Sequence, residues 1–242
     1  MPKPVFLATD LALYSLLLVI GCYAWHALRT PTLRQSWRAV LHDAPAMAAA
    51  VVLSLFALIA LLDSVHFRPL LPPAPGAAQN AAPAYATGTL SLLDALLSGP
   101  RESREKTYSV PLGTHQFSKE SMLVEGRTVR DFPRLQFGGV HLADAQCAWL
   151  ADVAWRSLAG LAAGALLAAA AWLLVAVLHA QVARQRVVYS LRAIWGRGTH
   201  VPWRAMLITA SLLALFAAWV AALWPHYHVF GTDQTEIGRA HV

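Results

Sequence analysis

The chain has 242 residues, of which 57% are hydrophobic and 13% are charged, and its mean hydropathy is positive. A soluble domain usually has about a quarter of its residues charged, so this composition excludes an ordinary soluble domain and indicates a membrane protein. The formal net charge of +6 does not indicate nucleic-acid binding, because the arginines lie in short stretches beside apolar runs, as topology signals do.

Four uncharged apolar runs predict four transmembrane helices, since about 20 apolar residues cross a bilayer and about 17 are the lower limit. The runs cover residues 11–28, 44–62, 157–183 and 205–224. Gly160 and Gly164 in the third run form a small-xxx-small pair, which lets helix backbones approach closely. We expect this pair to pack against another helix of the same bundle, with dimerisation as the alternative.

Two arginine-rich connections set the predicted topology. Residues 29–43 contain Arg29, Arg34 and Arg38, and residues 181–204 contain five further arginines. Arginine-rich loops favour the cytoplasm. We therefore expect both connections inside, and both termini and the long loop between the second and third runs outside.

Each connection leaves a second interpretation open. The first is interpreted as a basic loop that fixes orientation, and the alternative is an interfacial amphipathic helix over residues 32–42. The second is predicted to contain a short surface helix at residues 187–195. Its arginines alternatively bind anionic lipid headgroups, which is compatible with the same topology.

Residues 64–150 form a long polar region, here called the loop module. Its first part, residues 69–86, is rich in proline and alanine, which predicts an extended spacer. Residues 90–97 predict a short helix that Ser91 caps. Further on, two strand-like stretches flank a Glu-Gly turn pair and predict a β-hairpin over residues 121–132. The apolar residues of this small folded part are Tyr108, Phe117, Phe132, Leu135 and Phe137.

Several side chains of reactive type leave a membrane enzyme open as an alternative. Thr114-His115, His141 and Asp144 supply the types of a nucleophile, a base and a carboxylate, but a triad is defined by geometry rather than by type. The His226-x-His228 pair has no third metal ligand nearby in the sequence, so an interfacial role is favoured. Cys22 and Cys147 are expected as free thiols, because two cysteines make no disulfide framework.

Residues 225–235, directly after the fourth run, have the sequence PHYHVFGTDQT. This segment resembles the entry motif, Gly-Thr-Asp-x-x-Gly-x-Asp, of the second permease subunit of bacterial dipeptide, oligopeptide and microcin-type ATP-driven importers. The match covers residues 230–235. The next Gly and Asp of the motif would fall at positions 236 and 238, where the chain has Glu236 and Gly238. Residues 108–120 and 129–142 resemble the periplasmic insertion of a long-loop branch of these permeases.

The resemblance implies an all-α polytopic protein of the bacterial inner membrane, with about four transmembrane helices and a small α+β periplasmic loop module. It implies a permease subunit that moves peptides or similar small solutes, with a second permease subunit, cytoplasmic ATPase subunits, a periplasmic substrate-binding protein and membrane lipid as partners. Gly231, Thr232 and Asp233 are carried over as motif positions for binding, and Asp233 is expected to cap the following segment.

No enzymatic activity, nucleic-acid partner, cofactor, metal or catalytic residue is expected of this chain. ATP hydrolysis is expected on a separate subunit, because the sequence has no Gly-x-x-x-x-Gly-Lys-Ser/Thr loop. The alternative is a membrane-anchored ligand-binding or sensory protein that uses the loop module.

The predicted organisation has four parts. Residues 1–63 hold two transmembrane helices with a basic connection, residues 64–150 the loop module, and residues 151–224 the second helix pair. Residues 225–242 are expected to be the periplasmic start of a truncated permease core, so that the chain lacks the core transport domain. Residues 236–242 resemble the translation of a sequencing adapter and are expected to be artefactual; a genuine short polar terminus is the alternative.

Overall fold

The computed structural model describes residues 3–71, 84–99, 105, 108–124, 126–196 and 198–231. Within these residues the chain is mostly helical and has two small antiparallel sheets. The helices are α1 (Ala8–Arg29), α2 (Pro31–His42), α3 (Ala44–Asp63), α4 (Leu92–Leu96), α5 (Ala145–Ala183), α6 (Val187–Trp195) and α7 (Trp203–Leu223). The strands are β1 (Lys3–Val5), β2 (His66–Arg68), β3 (Leu90–Ser91), β4 (Glu120–Val124) and β5 (Arg127–Asp131).

Four of these helices, α1, α3, α5 and α7, are long and apolar enough to cross a membrane. They coincide with the four predicted runs, and most of their apolar side chains are exposed, as lipid-facing side chains would be. Helix α5 has 39 residues and is about 58 Å long at 1.5 Å per residue. It is therefore nearly twice as long as the hydrocarbon layer of about 30 Å, and part of it extends beyond the lipid.

The chain divides into two compact units. The first comprises Met1–Ser98 and Gln185–Thr209, and the second comprises Gly99–Arg184 and Ala210–Val242. Helix α7 contributes its first residues to the first unit and the rest to the second.

In the first unit, a three-stranded sheet joins the start of α1 to the beginning of the loop module. Strand β2 is the central strand and pairs antiparallel with β1 and β3. This sheet places His66 beside Asp10, with 3.0 Å between Nδ1 and Oδ2, and the Asp10 carboxylate also accepts a hydrogen bond from the amide of Leu7. Asp10 is buried. Its carboxylate bonds to the first turn of α1 and to His66 of strand β2 at the same time.

The first arginine-rich connection is the helix α2, so the helical alternative is confirmed and the loop interpretation is wrong. Pro31 occupies the first turn, where a missing amide proton costs no hydrogen bond. The helix ends at His42, and the following Asp43 accepts a hydrogen bond from the amide of Ala46 and caps α3. The second connection contains α6 at the predicted residues. Ser190 and Ile194 of this helix are fully buried.

The spacer predicted at residues 69–86 is described only at its two ends. Leu70 forms an antiparallel bridge with Tyr85, and the amide of Leu71 donates to the carbonyl of Ala84. Residues 72–83 lie outside the described residues. After this pair, Ser91 and Asp94 exchange side-chain to backbone hydrogen bonds of 3.0 Å at the start of α4, which confirms the predicted cap.

In the second unit, α5 packs against α7 through the small-residue pair. A Cβ built on Gly160 would lie 2.8 Å from the carbonyl oxygen of Ala218, and one on Gly164 would lie 2.8 Å from the Cα of Leu215. Packing within the bundle is thus confirmed for both glycines. Two indole groups extend this contact: Trp219 donates to Ser157 and Trp172 donates to Ser211, both at 3.1 Å.

The predicted hairpin is present as β4 and β5, in an antiparallel register that pairs Met122 with Val129. Gly126 in its turn has φ +80°, a conformation that glycine adopts without strain. The aromatic residues expected in this module do not form its core: Tyr108, Phe117, Phe132 and Phe137 are exposed, and only Leu135 is buried. The buried cluster consists instead of Leu142, Leu223, Tyr227 and Val229.

Candidate functional site

Of the three positions predicted for binding from the resemblance, Gly231 lies in the described part of the chain, and Thr232 and Asp233 lie outside it. Gly231 has φ +78°, and a Cβ built on it would lie 2.6 Å from the carbonyl oxygen of Ser109. Its amide donates to the carbonyl of His228 at 3.1 Å and closes a turn. Only glycine fits this position without a shift of the backbone, because both the dihedral and the close approach exclude a side chain.

The segment after α7, residues 225–231, is fixed to the loop module by backbone hydrogen bonds. The amide of Leu112 donates to the carbonyl of His228 at 2.9 Å, and the amide of Gly139 donates to the carbonyl of His226 at 2.8 Å. The side chains of residues 226–229 differ in how deeply they are buried. Tyr227 and Val229 are buried, whereas His226 is half-buried.

Asp152 is the centre of a polar cluster in the second unit. Its Oδ2 accepts hydrogen bonds from Arg156 Nε at 2.8 Å, from the Tyr227 hydroxyl at 2.7 Å and from His141 Nε2 at 2.8 Å. The imidazole of His226 lies against that of His141, with ring centroids 4.9 Å apart. One carboxylate oxygen thus joins the start of α5, the loop module and the segment after α7.

The helical period of α5 places the Asp152 carboxylate on the same helix face as its neighbours in the cluster. Residues 149, 152, 153 and 156 follow the three- and four-residue spacing that places side chains on one helix face. Trp149 and Val153 of this face pack against the buried cluster around Tyr227, and Trp149 Nε1 donates to the carbonyl of Leu112 at 2.8 Å. The polar pair at positions 152 and 156 therefore lies directly beside an apolar core.

His141 is held in place by a neighbouring arginine. Nη2 of Arg134 donates to the carbonyls of Gly139 and Leu142, at 3.0 and 2.8 Å. Gly139 has φ +65°, and its Cβ position is 2.6 Å from Cγ2 of Thr114. The Arg134 guanidinium thus fixes the backbone before and after His141, and in this turn the imidazole faces Asp152.

The cluster shifts the pKa of Tyr227 and of His226, its members in the segment after α7. Burial, the hydrogen bond to Asp152 and the negative charge of Asp152 raise the pKa of Tyr227 well above its usual range, so the hydroxyl stays a proton donor. Burial lowers the pKa of His226, the positive charge of Arg156 and His141 lower it further, and Asp152 opposes them. His226 is consequently neutral at neutral pH.

The reactive side chains noted in the sequence do not assemble as a triad. His141 pairs with Asp152 rather than with Asp144, which accepts a hydrogen bond from the amide of Cys147 at the start of α5. Thr114 and His115 bond to each other at 2.9 Å. His226 and His228 have different partners, since His228 Nε2 lies 3.5 Å from Glu105 Oε1. Across the described residues, no group of three or more His, Cys, Asp or Glu side chains is placed to hold a metal ion.

No family model matches this chain, and neither a curated protein nor a solved structure matches it.

An apolar groove lies in the loop module beside the polar cluster. It has a volume of about 800 Å³ and is lined by residues 110–117 together with Phe132 and Trp149. Oε1 of Gln116 is buried and has no hydrogen-bond partner among the described residues. Ligand sites have volumes of roughly 300–1,000 Å³, and the volume of this groove lies in that range.

Sequence reasoning missed Asp152 and misplaced Tyr227. Asp152 and Arg156 mark only the end of an apolar run in the sequence, although their four-residue spacing is a signal for a helix-face ion pair. Together with Trp219 and Trp224, Tyr227 forms an aromatic stretch at the end of the fourth apolar run, which predicts a position at the membrane interface, yet Tyr227 is 1% exposed. No local signal reveals that contact, since 75 residues separate it from Asp152.

Proposed function

We propose that this chain belongs to a permease subunit of an ATP-driven importer that moves peptides or similar small solutes across the bacterial inner membrane. The observation that carries the proposal is the conformation of Gly231, the glycine of the segment that resembles the family's entry motif. Its positive φ and the nearby Ser109 carbonyl create a structural need for glycine at this position. The turn at Gly231 is compatible with the segment that the resemblance covers.

The rest of the chain supplies suitable surroundings for that motif. Four helices are apolar and long enough to be membrane-embedded, and the segment that leads into the motif follows the last of them. Backbone bonds from Leu112 to His228 and from Gly139 to His226 tie this leading segment to the loop module. Within this proposal Gly231 sets the direction in which the chain continues, and Thr232 and Asp233 belong to the same entry segment. ATP hydrolysis belongs to partner subunits.

The test is peptide uptake in the source bacterium. Deletion of the gene should abolish uptake of at least one radiolabelled peptide from a mixture of di- to pentapeptides, and the wild-type gene should restore it. Gly231→Ala should restore uptake poorly, whereas Gly88→Ala should restore it fully, because Gly88 has open space around it. An affinity-tagged product should also co-purify with an ATPase subunit. Unchanged uptake in the deletion strain, without a co-purifying ATPase, would contradict the proposal.

The groove in the loop module favours a second candidate, a membrane-anchored ligand-binding or sensory protein. Its apolar walls suit a small ligand with an apolar part. The purified chain would then retain a peptide or similar solute without any ATPase, and Trp149→Ala would weaken that binding. Such binding in a strain with no uptake defect would favour the second candidate over the permease.

A further inference from the structure

A second groove lies in the first unit, between α1 and α2. It has a volume of about 450 Å³. Its apolar wall is formed by Ile20, Ala24, Ala27, Leu28 and Leu41, and Tyr23, Trp37, Arg34 and Arg38 complete the lining. The groove thus combines a long apolar surface with two guanidinium groups.

The groove exists because α2 folds back beside the end of α1. Trp37 Nε1 donates to the Tyr23 hydroxyl at 3.3 Å, and the two rings meet edge to face with centroids 6.2 Å apart. Both residues lie about two turns from the junction at Thr30, so this contact holds the two helices together beyond the turn. Indole and phenol groups with one apolar and one polar end are typical of membrane interfaces.

The charge of the groove is positive and uncompensated. Arg34 and Arg38 are four residues apart and share one face of α2, which contains no acidic residue. Within the described part of the chain, neither guanidinium forms an ion pair with a carboxylate. Arg29 differs from them, because its guanidinium stacks on Trp25 of the same helix, 4.3 Å from the ring centroid. The two α2 arginines are therefore free to bind an external anion.

We propose that this groove binds one anionic phospholipid of the surrounding bilayer, with its phosphate at Arg34 and Arg38 and an acyl chain along the α1 wall. A soluble anion would not use the apolar wall, which includes exposed side chains of a helix long enough to cross the membrane. One guanidinium group can bind two oxygens of a phosphate at once, and arginines near the membrane surface favour anionic lipid. This lipid site is separate from peptide import and does not depend on it.

Native mass spectrometry of the delipidated full chain tests the proposal. The chain is titrated with dioleoylphosphatidylglycerol or dioleoylphosphatidylcholine, and the dissociation constant of the first bound lipid is measured. Two surface arginines favour the anionic lipid by up to about 25-fold. Arg34→Gln/Arg38→Gln should lower this preference by about 5- to 25-fold, whereas Arg34→Lys/Arg38→Lys should keep most of it.

Two further variants separate the groove from general charge attraction. Arg127→Gln/Arg130→Gln removes the same charge from exposed positions on β5 and should leave the preference intact. Ala24→Trp fills the groove, keeps both arginines, and should weaken binding of the first phosphatidylglycerol. The proposal is overturned if Arg34→Gln/Arg38→Gln keeps the wild-type preference, if the β5 pair loses it equally, or if Ala24→Trp binds phosphatidylglycerol as wild type does. The glutamine and lysine pairs change only exposed side chains, so their comparison stands even if Ala24→Trp misfolds.

Discussion

The hydroxyl of Tyr227 donates a 2.7 Å hydrogen bond to Oδ2 of Asp152 across 75 residues of sequence. Tyr227 is 1% exposed and belongs to the buried cluster with Leu142 and Leu223. The same Asp152 oxygen accepts from Arg156 and His141. A single carboxylate therefore joins the beginning of α5 to the loop module and to the segment after α7.

Removal of the Tyr227 hydroxyl should destabilise the second unit. A hydrogen bond to a charged group contributes about 1.5–3 kcal/mol, and Tyr227→Phe should lower the free energy of unfolding by roughly that amount. Tyr108→Phe is the matched control, because Tyr108 is exposed in the same unit. Unfolding in detergent, followed by tryptophan fluorescence, measures both. Equal stability of Tyr227→Phe and Tyr108→Phe would show that the bond does not stabilise the unit.

The stability of the second unit should fall as the pH falls below about 6.5, the ordinary pKa of histidine. The folded state lowers the pKa of His226, so the unfolded chain binds the proton more tightly and acid favours unfolding. The groups facing His226 are Arg156, His141 and Asp152. His226→Gln should therefore have a shallower loss of thermal stability between pH 7.5 and pH 5 (roughly one to two pH units on either side of the unfolded pKa) than the wild-type chain.

The difference between the wild-type and His226→Gln curves of thermal stability against pH gives the contribution of His226 alone, separate from the other titrating groups. His26→Gln serves as the control, because His26 is exposed in the first unit. A His226→Gln chain whose midpoint falls as steeply as the wild type would contradict the lowered pKa.

Replacement of Gly164 and of Gly21 by alanine should act in opposite directions. Both glycines lie within membrane-length helices, and alanine is favoured over glycine in a helix by about 1 kcal/mol. At Gly21 there is nothing within 4 Å of the new Cβ, so Gly21→Ala should be neutral or stabilising. At Gly164 the Cβ would meet Leu215 Cα at 2.8 Å, and overpacking of this kind costs about 1–3 kcal/mol.

Thermal denaturation of the two alanine variants in detergent measures this contrast. Gly160→Ala should resemble Gly164→Ala, since its Cβ would also meet α7 at 2.8 Å. If Gly164→Ala proves as stable as Gly21→Ala, the close packing of α5 on α7 is wrong.

The topology expected from the arginine-rich connections can be tested by cysteine labelling. Val188 in α6 and Leu123 in β4 are both exposed, at 58% and 78%. In a background with Cys22 and Cys147 replaced, an impermeant maleimide applied from outside should label Leu123→Cys and spare Val188→Cys. Ser190 is unsuitable for this purpose because it is fully buried. Labelling of Val188→Cys alone would reverse the predicted orientation.

The elements that follow from local chemistry were predictable from the sequence. The four apolar runs, the surface helix at Val187–Trp195, the Ser91 cap and the hairpin around Gly126 depend on hydropathy, short-range spacing and turn preference, which neighbouring residues determine. The small-residue pair at Gly160 and Gly164 likewise indicated close helix packing, although the sequence did not show that α7 is the partner.

Only the tertiary structure decided where the polar residues meet. Asp10 and His66 are 56 residues apart, and Asp152 and Tyr227 are 75 apart, so no periodicity in the sequence relates them. The aromatic residues of the loop module are exposed for the same reason: Leu142, Leu223 and Val229 come from distant segments and form the core around Tyr227 in their place. Hydrophobic burial is not directional, so composition determined that this chain has helices long and apolar enough to cross a membrane. The path of the chain after α7 determined which side chains are buried against them.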